Sequence, residues 1–217
     1  MGMGEPIEEW EYDNHPNKDI VSTRCQEIIK NLTGKIQEIF QVLQETRPSH
    51  KFMFENVVPT NKIYLAGNYR GAKYPQLCDR PVYIAGFPGG HFSQVENLMK
   101  NFHHTLSQNI AKLSDYFKKN PLTAQQKIFA LSKFVSIYFV QFLAIHPYAN
   151  GNGHISRLLV WCIFNFKLVK CSFWSVPNRN INPPDQYIAA YRLGNQVPLV
   201  KAFISLISSE NTGANLN

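Results

Sequence analysis

Residues 146–157 read HPYANGNGHISR, and the types and spacing in that run can do phosphate chemistry. His146 supplies an imidazole, whose ordinary pKa of about 6.5 suits proton transfer near neutral pH. A few residues on, Gly151-Asn152-Gly153 falls where an apolar helix has to begin. A helix start carries unpaired backbone N–H groups and the positive end of the dipole, and flanking glycines let an anion come close to them. Arg157 falls one turn into that helix, a position that favours phosphate contact over a plain surface role. Asn150 can close an Asx-type turn. A glycine-rich helix start is also an ordinary structural turn, so spacing alone leaves both readings open.

These residues need two helices to hold them. Thr123 begins TAQQ, a Thr-x-x-Gln capping box, and the apolar helix it opens runs to about His146. After the glycines, Ile155, Leu158, Leu159, Trp161, Cys162, Ile163 and Phe166 describe a second buried helix. Upstream, apolar residues recur at helical steps from Asp19 to about Thr46, with Asp19 as N-cap and Pro48 as the stop. A further helix runs from Phe92 to about Lys119, and two more cover residues 182–193 and 197–207. Between residues 47 and 91, prolines and glycines interrupt any long helix. There PVYIAG (81–86) reads as a strand of a small hairpin, and KIYLAG (62–67) as a strand or a helical turn. The expectation is a mainly α domain of about six helices and one hairpin over residues 18–217, preceded by a loosely held acidic arm at 1–17 where Trp10 and Tyr12 can dock.

Composition narrows the classes. The chain has 217 residues, 44% of them apolar, enough for one domain with a substantial core. Its 22 Lys+Arg against 15 Asp+Glu favour polyanionic ligands, although a solvated basic surface accounts for them equally well. Cys25, Cys78, Cys162 and Cys171 show no metal-knuckle spacing and read as reduced thiols of a cytoplasmic protein. The apolar run FVSIYFVQFLAI (134–145) is short for a membrane span and suits a buried helix, so no membrane association is expected. Nucleic-acid binding has only the net charge in its favour, without an interleaved basic and aromatic stripe. His91, His103 and His104 lack ligand spacing with any carboxylate.

HPYANGNGHISR resembles the signature of the Fic domain, in order: His146, Pro147, an aromatic at Tyr148, Gly151, Asn152, Gly153 and the distal Arg157. The resemblance extends over roughly residues 60–207, through GNYR (67–70), PVYIAG where the family's flap lies, FPGGHFSQVENLMKNF (87–102) and QYIAAYRLGNQVPLVKAFISLI (186–207). It implies the Fic fold and transfer of a nucleoside monophosphate, most often AMP from ATP with Mg²⁺, to a Tyr, Ser or Thr hydroxyl of a target protein. In that reading His146 takes the proton of the attacking hydroxyl. Asn152, the backbone of Gly151 and Gly153, His154 and Arg157 hold phosphate. Asn150 stands at the metal position, and Val82, Tyr83 and Ile84 dock the target by strand addition. The implied compartment is the cytoplasm, or that of a host cell into which the protein is delivered.

The run departs from the family pattern twice. Asn150 replaces an acidic residue, and His154 replaces an arginine. A neutral amide is a poorer ligand for a hard cation, and an imidazole offers fewer donors than a guanidinium. The inhibitory pattern of many members, (Ser/Thr)-x-x-x-Glu-(Gly/Asn), is matched imperfectly at Thr23…Glu27 and Ser205…Glu210, with Glu210 nearer the expected C-terminal place. Inhibition by a separate partner protein is the alternative. Other functions stay open: a degenerate domain binding nucleotide or a partner without turnover, or transfer of another phosphate-bearing group, with Gly153 against the kinase branch, which carries Lys there.

Overall fold

A computed structural model of the chain describes residues 10–71, 81–167, 169, 174–177 and 183–208. The described residues are mainly helical: α1 (Asp19–Leu32), α2 (Ile36–Gln44), α3 (Arg47–Phe54), α4 (Val95–Lys119), α5 (Ala124–Ile145), α6 (Asn152–Phe166), α7 (Asp185–Arg192) and α8 (Val197–Ser208). The one sheet among them is a hairpin, β1 (Tyr83–Ile84) with β2 (Phe87–Pro88).

The capping box at the start of α5 forms as its letters dictate. Gln126 N–H donates to Thr123 Oγ1 at 3.3 Å, and Thr123 N–H donates to Gln126 Oε1 at 2.9 Å. α5 is long and apolar enough to cross a membrane, but it packs against α4, α6, α7 and α8. Leu131, Val135, Phe139 and Phe142 are buried there, so its apolar face is spent on the core. α6 lies against α2 and α5 with Ile155, Leu158, Cys162 and Phe164 fully enclosed.

The sequence reading of one helix from Asp19 to Thr46 is corrected. Gly34 adopts φ +79 and ends α1, and α2 begins two residues later. Only glycine takes that left-handed turn without steric cost, which makes it a helix stop. The periodicity hid the break because the apolar positions on either side stay in step. Pro48 does not stop a helix: it lies in the first turn of α3, where its missing N–H loses no hydrogen bond. Asp19 is the first helical residue of α1, with Lys18 as N-cap. KIYLAG is mostly 3₁₀ turn, within Thr60–Leu65.

The hairpin pairs Tyr83 with Pro88 and Ile84 with Phe87. Ala85 and Gly86, the two residues between the strands, both have positive φ (51 and 81), as a type I′ turn requires. Of the arm, residues 10–17 are described: Trp10 is buried and its indole N–H donates to Val57 O at 2.9 Å, and Tyr12–Asn14 make a 3₁₀ turn.

Candidate functional site

His146 follows the last turn of α5 in a left-handed conformation, φ 51 and ψ 61. Ala85 and His146 are the non-glycine residues with positive φ among the described ones. Such a conformation costs an L-residue roughly 1–2 kcal/mol, so its surroundings must hold it. The holder is Arg70 of GNYR. Its Nε donates to His146 O at 2.6 Å and its Nη2 to Gly90 O (2.5 Å) and Ile145 O (3.0 Å), while its backbone N–H donates to Pro147 O at 2.8 Å. Burial lowers the Arg70 pKa to about 10, which leaves it cationic at the negative end of the α5 dipole. Gly90 N–H in turn donates to Ala144 O at 2.8 Å, so the exit of the hairpin is fastened to the same helix end.

The turn after His146 is fixed from every side. Asn152 clamps Tyr148 at two points: its Oδ1 accepts from Tyr148 N–H at 2.9 Å and its Nδ2 donates to Tyr148 O at 2.8 Å. The Tyr148 ring is fully buried, stacked on His50 with centroids 3.8 Å apart, and its hydroxyl shares a hydrogen bond with Thr46 Oγ1 at 2.8 Å. His50 Nδ1 accepts from Gly67 N–H at 2.9 Å, so its proton is on Nε2, which donates to Asn150 O at 2.9 Å. Burial lowers the His50 pKa to about 4, and the ring is neutral. Gly151 has φ +78, and a Cβ there would lie 2.4 Å from Phe54 Cε2, so both backbone and packing demand glycine.

The motif residues singled out by the sequence each have a definite place. The first intrahelical bond of α6 runs from Ile155 N–H to Gly151 O at 3.1 Å, and no side chain caps the start. The N–H groups of Asn152, Gly153 and His154 therefore form its leading edge. Gly151 N–H is spent on Asn150 Oδ1 at 2.6 Å, and the side chain of Asn152 on the clamp, so neither contributes to that edge. Asn150 Nδ2 donates to Trp10 O and to Glu11 Oε2, both at 2.9 Å. His154 is buried, with Nε2 3.4 Å from the Tyr12 hydroxyl and Tyr12 and Phe54 packed edge-on against its ring. Burial, then the Arg157 charge, lowers its pKa to about 3, so it is neutral and brings no cation to the cradle. Arg157 is 2% exposed, its Nε donating to Val176 O at 2.6 Å, and Trp174 donates to its carbonyl at 2.9 Å. A Cβ on Gly153 would come within 3.2 Å of Arg157 Nη1, so this glycine keeps the guanidinium beside the helix start.

In the hairpin, Val82 O accepts from Gly89 N–H at 2.7 Å, Tyr83 is 68% exposed and Ile84 is buried. Among the described residues β1 pairs only with β2. Glu27 lies on the exposed side of α1, 4.0 Å from Arg24, whereas Cys25 is buried; burial raises the pKa of its thiol and the Arg157 charge partly offsets this. Glu210, Cys78 and Cys171 lie outside the described residues; Cys25 and Cys162 are free and buried.

Among the described residues no group of three His, Cys, Asp or Glu is placed to hold a metal. Asn150 has both ends of its amide in hydrogen bonds to protein, so its chemistry here is that of a turn and an arm-holding residue. Sequence reasoning missed His50, Thr46 and Glu11. GNYR was the one signal for Arg70; a histidine in a helix and a glutamate in an arm carry no local signature. Comparison with protein-family models and with curated proteins finds no match for this chain.

Proposed function

We propose that the chain is a Fic-type protein nucleotidyltransferase, moving AMP or another nucleoside monophosphate from its triphosphate to a Tyr, Ser or Thr hydroxyl of a target protein. The observation that carries this reading is the strained His146 held beside an uncapped helix start, with the whole turn between them fixed by Arg70, His50 and Asn152. A base and a set of backbone N–H donors pre-set in this way are what an in-line attack on phosphorus needs.

In the reaction the target oxygen bonds to the α-phosphorus, the bond from that phosphorus to the bridging oxygen breaks, and pyrophosphate leaves. The His146 imidazole takes the hydroxyl proton and later yields it to solvent. The N–H groups of Asn152, Gly153 and His154 meet the charge that builds on the phosphate oxygens, and Arg157 adds its field from behind Gly153. Mg²⁺, held mainly by the nucleotide's own phosphates, would neutralise the departing pyrophosphate. A target strand would pair along β1, with Tyr83 exposed for contact.

A second reading is favoured by the neutral His154 and by the full commitment of the Asn150 and Asn152 amides: a domain that binds nucleotide without turnover. Incubation with α-³²P-labelled ATP, GTP, CTP or UTP, Mg²⁺ or Mn²⁺ and a lysate decides between them. Label on protein that is lost in His146→Ala is the expected result. Nucleotide binding without label for all four nucleotides would establish the second reading instead.

A further inference from the structure

The arm touches the motif turn through two of its side chains, Asn150 and His154, the same two positions at which the run departs from the pattern it resembles. Asn150 Nδ2 holds both Trp10 O and the Glu11 carboxylate at 2.9 Å. On either side of Glu11 the arm is anchored: the Trp10 indole is buried and bonded to Val57 O at 2.9 Å, and the Tyr12 ring packs on Phe54 and His154 with centroids 5.3 and 5.5 Å away. Glu11 itself is exposed, so a carboxylate is fixed one residue before Gly151, at the rim of the α6 start.

A carboxylate fixed at the rim of an anion cradle has a definite consequence for the ligand. Alone, it repels a polyphosphate. With a divalent cation between them it becomes a ligand, because Mg²⁺ in nucleotide sites is held by one or two carboxylates together with phosphate oxygens. The Asn150 oxygen is occupied by Gly151 N–H at 2.6 Å, which leaves Glu11, among the described residues, as the carboxylate bonded at this corner. We propose that Glu11, lent by the N-terminal arm, is the protein's divalent-cation ligand at the nucleotide site, and that Asn150 is the positioning residue that holds it there. This rests on reading the turn as a nucleotide phosphate site.

The test measures Mn²⁺ binding, by water-proton relaxation, to the full chain with α,β-methylene-ATP, which cannot be turned over at the α-phosphate. Glu11→Gln keeps a carbonyl oxygen for Asn150 Nδ2, so the arm stays docked, as amide exchange at Asn14, His15 and Lys18 will report. The expected loss of Mn²⁺ affinity is at least about tenfold, with nucleotide binding in EDTA unchanged or tighter. Equal Mn²⁺ affinity in wild type and Glu11→Gln, or tighter nucleotide binding with Mn²⁺ present, overturns the proposal and leaves the phosphate reading intact. Failure of the wild type to bind the nucleotide with or without Mn²⁺ overturns both.

Discussion

At the residue scale, Arg70 holds the site from outside the motif. Three carbonyl groups, of Gly90, Ile145 and His146, accept from one guanidinium. Removing it leaves them without that donor and frees His146 to leave a conformation that it does not favour. Arg70→Ala is expected to cost about 3 kcal/mol in urea unfolding and to abolish labelling. Arg70→Lys should keep the charge but not the fork, recovering stability in part and activity less. Gly151→Ala combines a positive φ with a clash against Phe54, and should destabilise by about 2–4 kcal/mol. Gly153→Ala has ordinary φ and meets only a guanidinium end at 3.2 Å, so thermal unfolding should barely move while phosphate affinity falls.

At the element scale, the hairpin contains an avoidable strain. Ala85 occupies the first position of a type I′ turn at φ 51, a place that asparagine or glycine fills at lower cost. Ala85→Asn is expected to stabilise by about 0.5–1 kcal/mol in thermal unfolding, without altering the Tyr83–Pro88 register. The sequence showed where regular elements lie when their signals are local. Thr123 and Gln126 announced the start of α5, and PVYIAG announced β1. Gly34 was also local, yet the unbroken apolar spacing from Ile28 to Leu43 outweighed it. What stayed invisible was long-range: His50 meets Asn150 across 100 residues, and Asn150 meets Trp10 across 140. Those contacts decide which atoms of the motif are free for a ligand, so the letters were legible and their availability was not.

At the scale of the whole molecule, buried neutral imidazoles tie folding to pH. The pKa of His50 is lowered to about 4 and that of His154 to about 3, burial being the main cause, and burial lowers that of His103 as well. In the unfolded chain each returns to about 6.5 and takes up a proton as pH falls below that value. The unfolded state then binds more protons than the native one, so stability rises with pH across this window. It is therefore full above about pH 6.5 and is lost progressively toward pH 4, by up to about 1.4 kcal/mol per pH unit for each such histidine. Urea midpoints measured from pH 7.5 to 5 should fall steeply, and less steeply in His154→Phe, which removes one of these groups.

On the proposed transferase reading, the fastening of the hairpin to the end of α5 bears on how one hydroxyl would be chosen among many. Arg70 grips the carbonyls of Gly90 and His146 at once, and Gly90 is bonded to Ala144, so the exit of the hairpin and the backbone of His146 are tied to one helix end. A target strand laid along Tyr83–Ile84 would advance roughly 3.3 Å per residue past a base whose backbone is tied to the exit of the hairpin. Selection would then be a matter of counting: the residue that reacts would be the one a set number of positions from the paired segment, whatever its neighbours. Lengthening the link between Ile84 and Gly90 by one residue should move the modified site along the target rather than abolish modification.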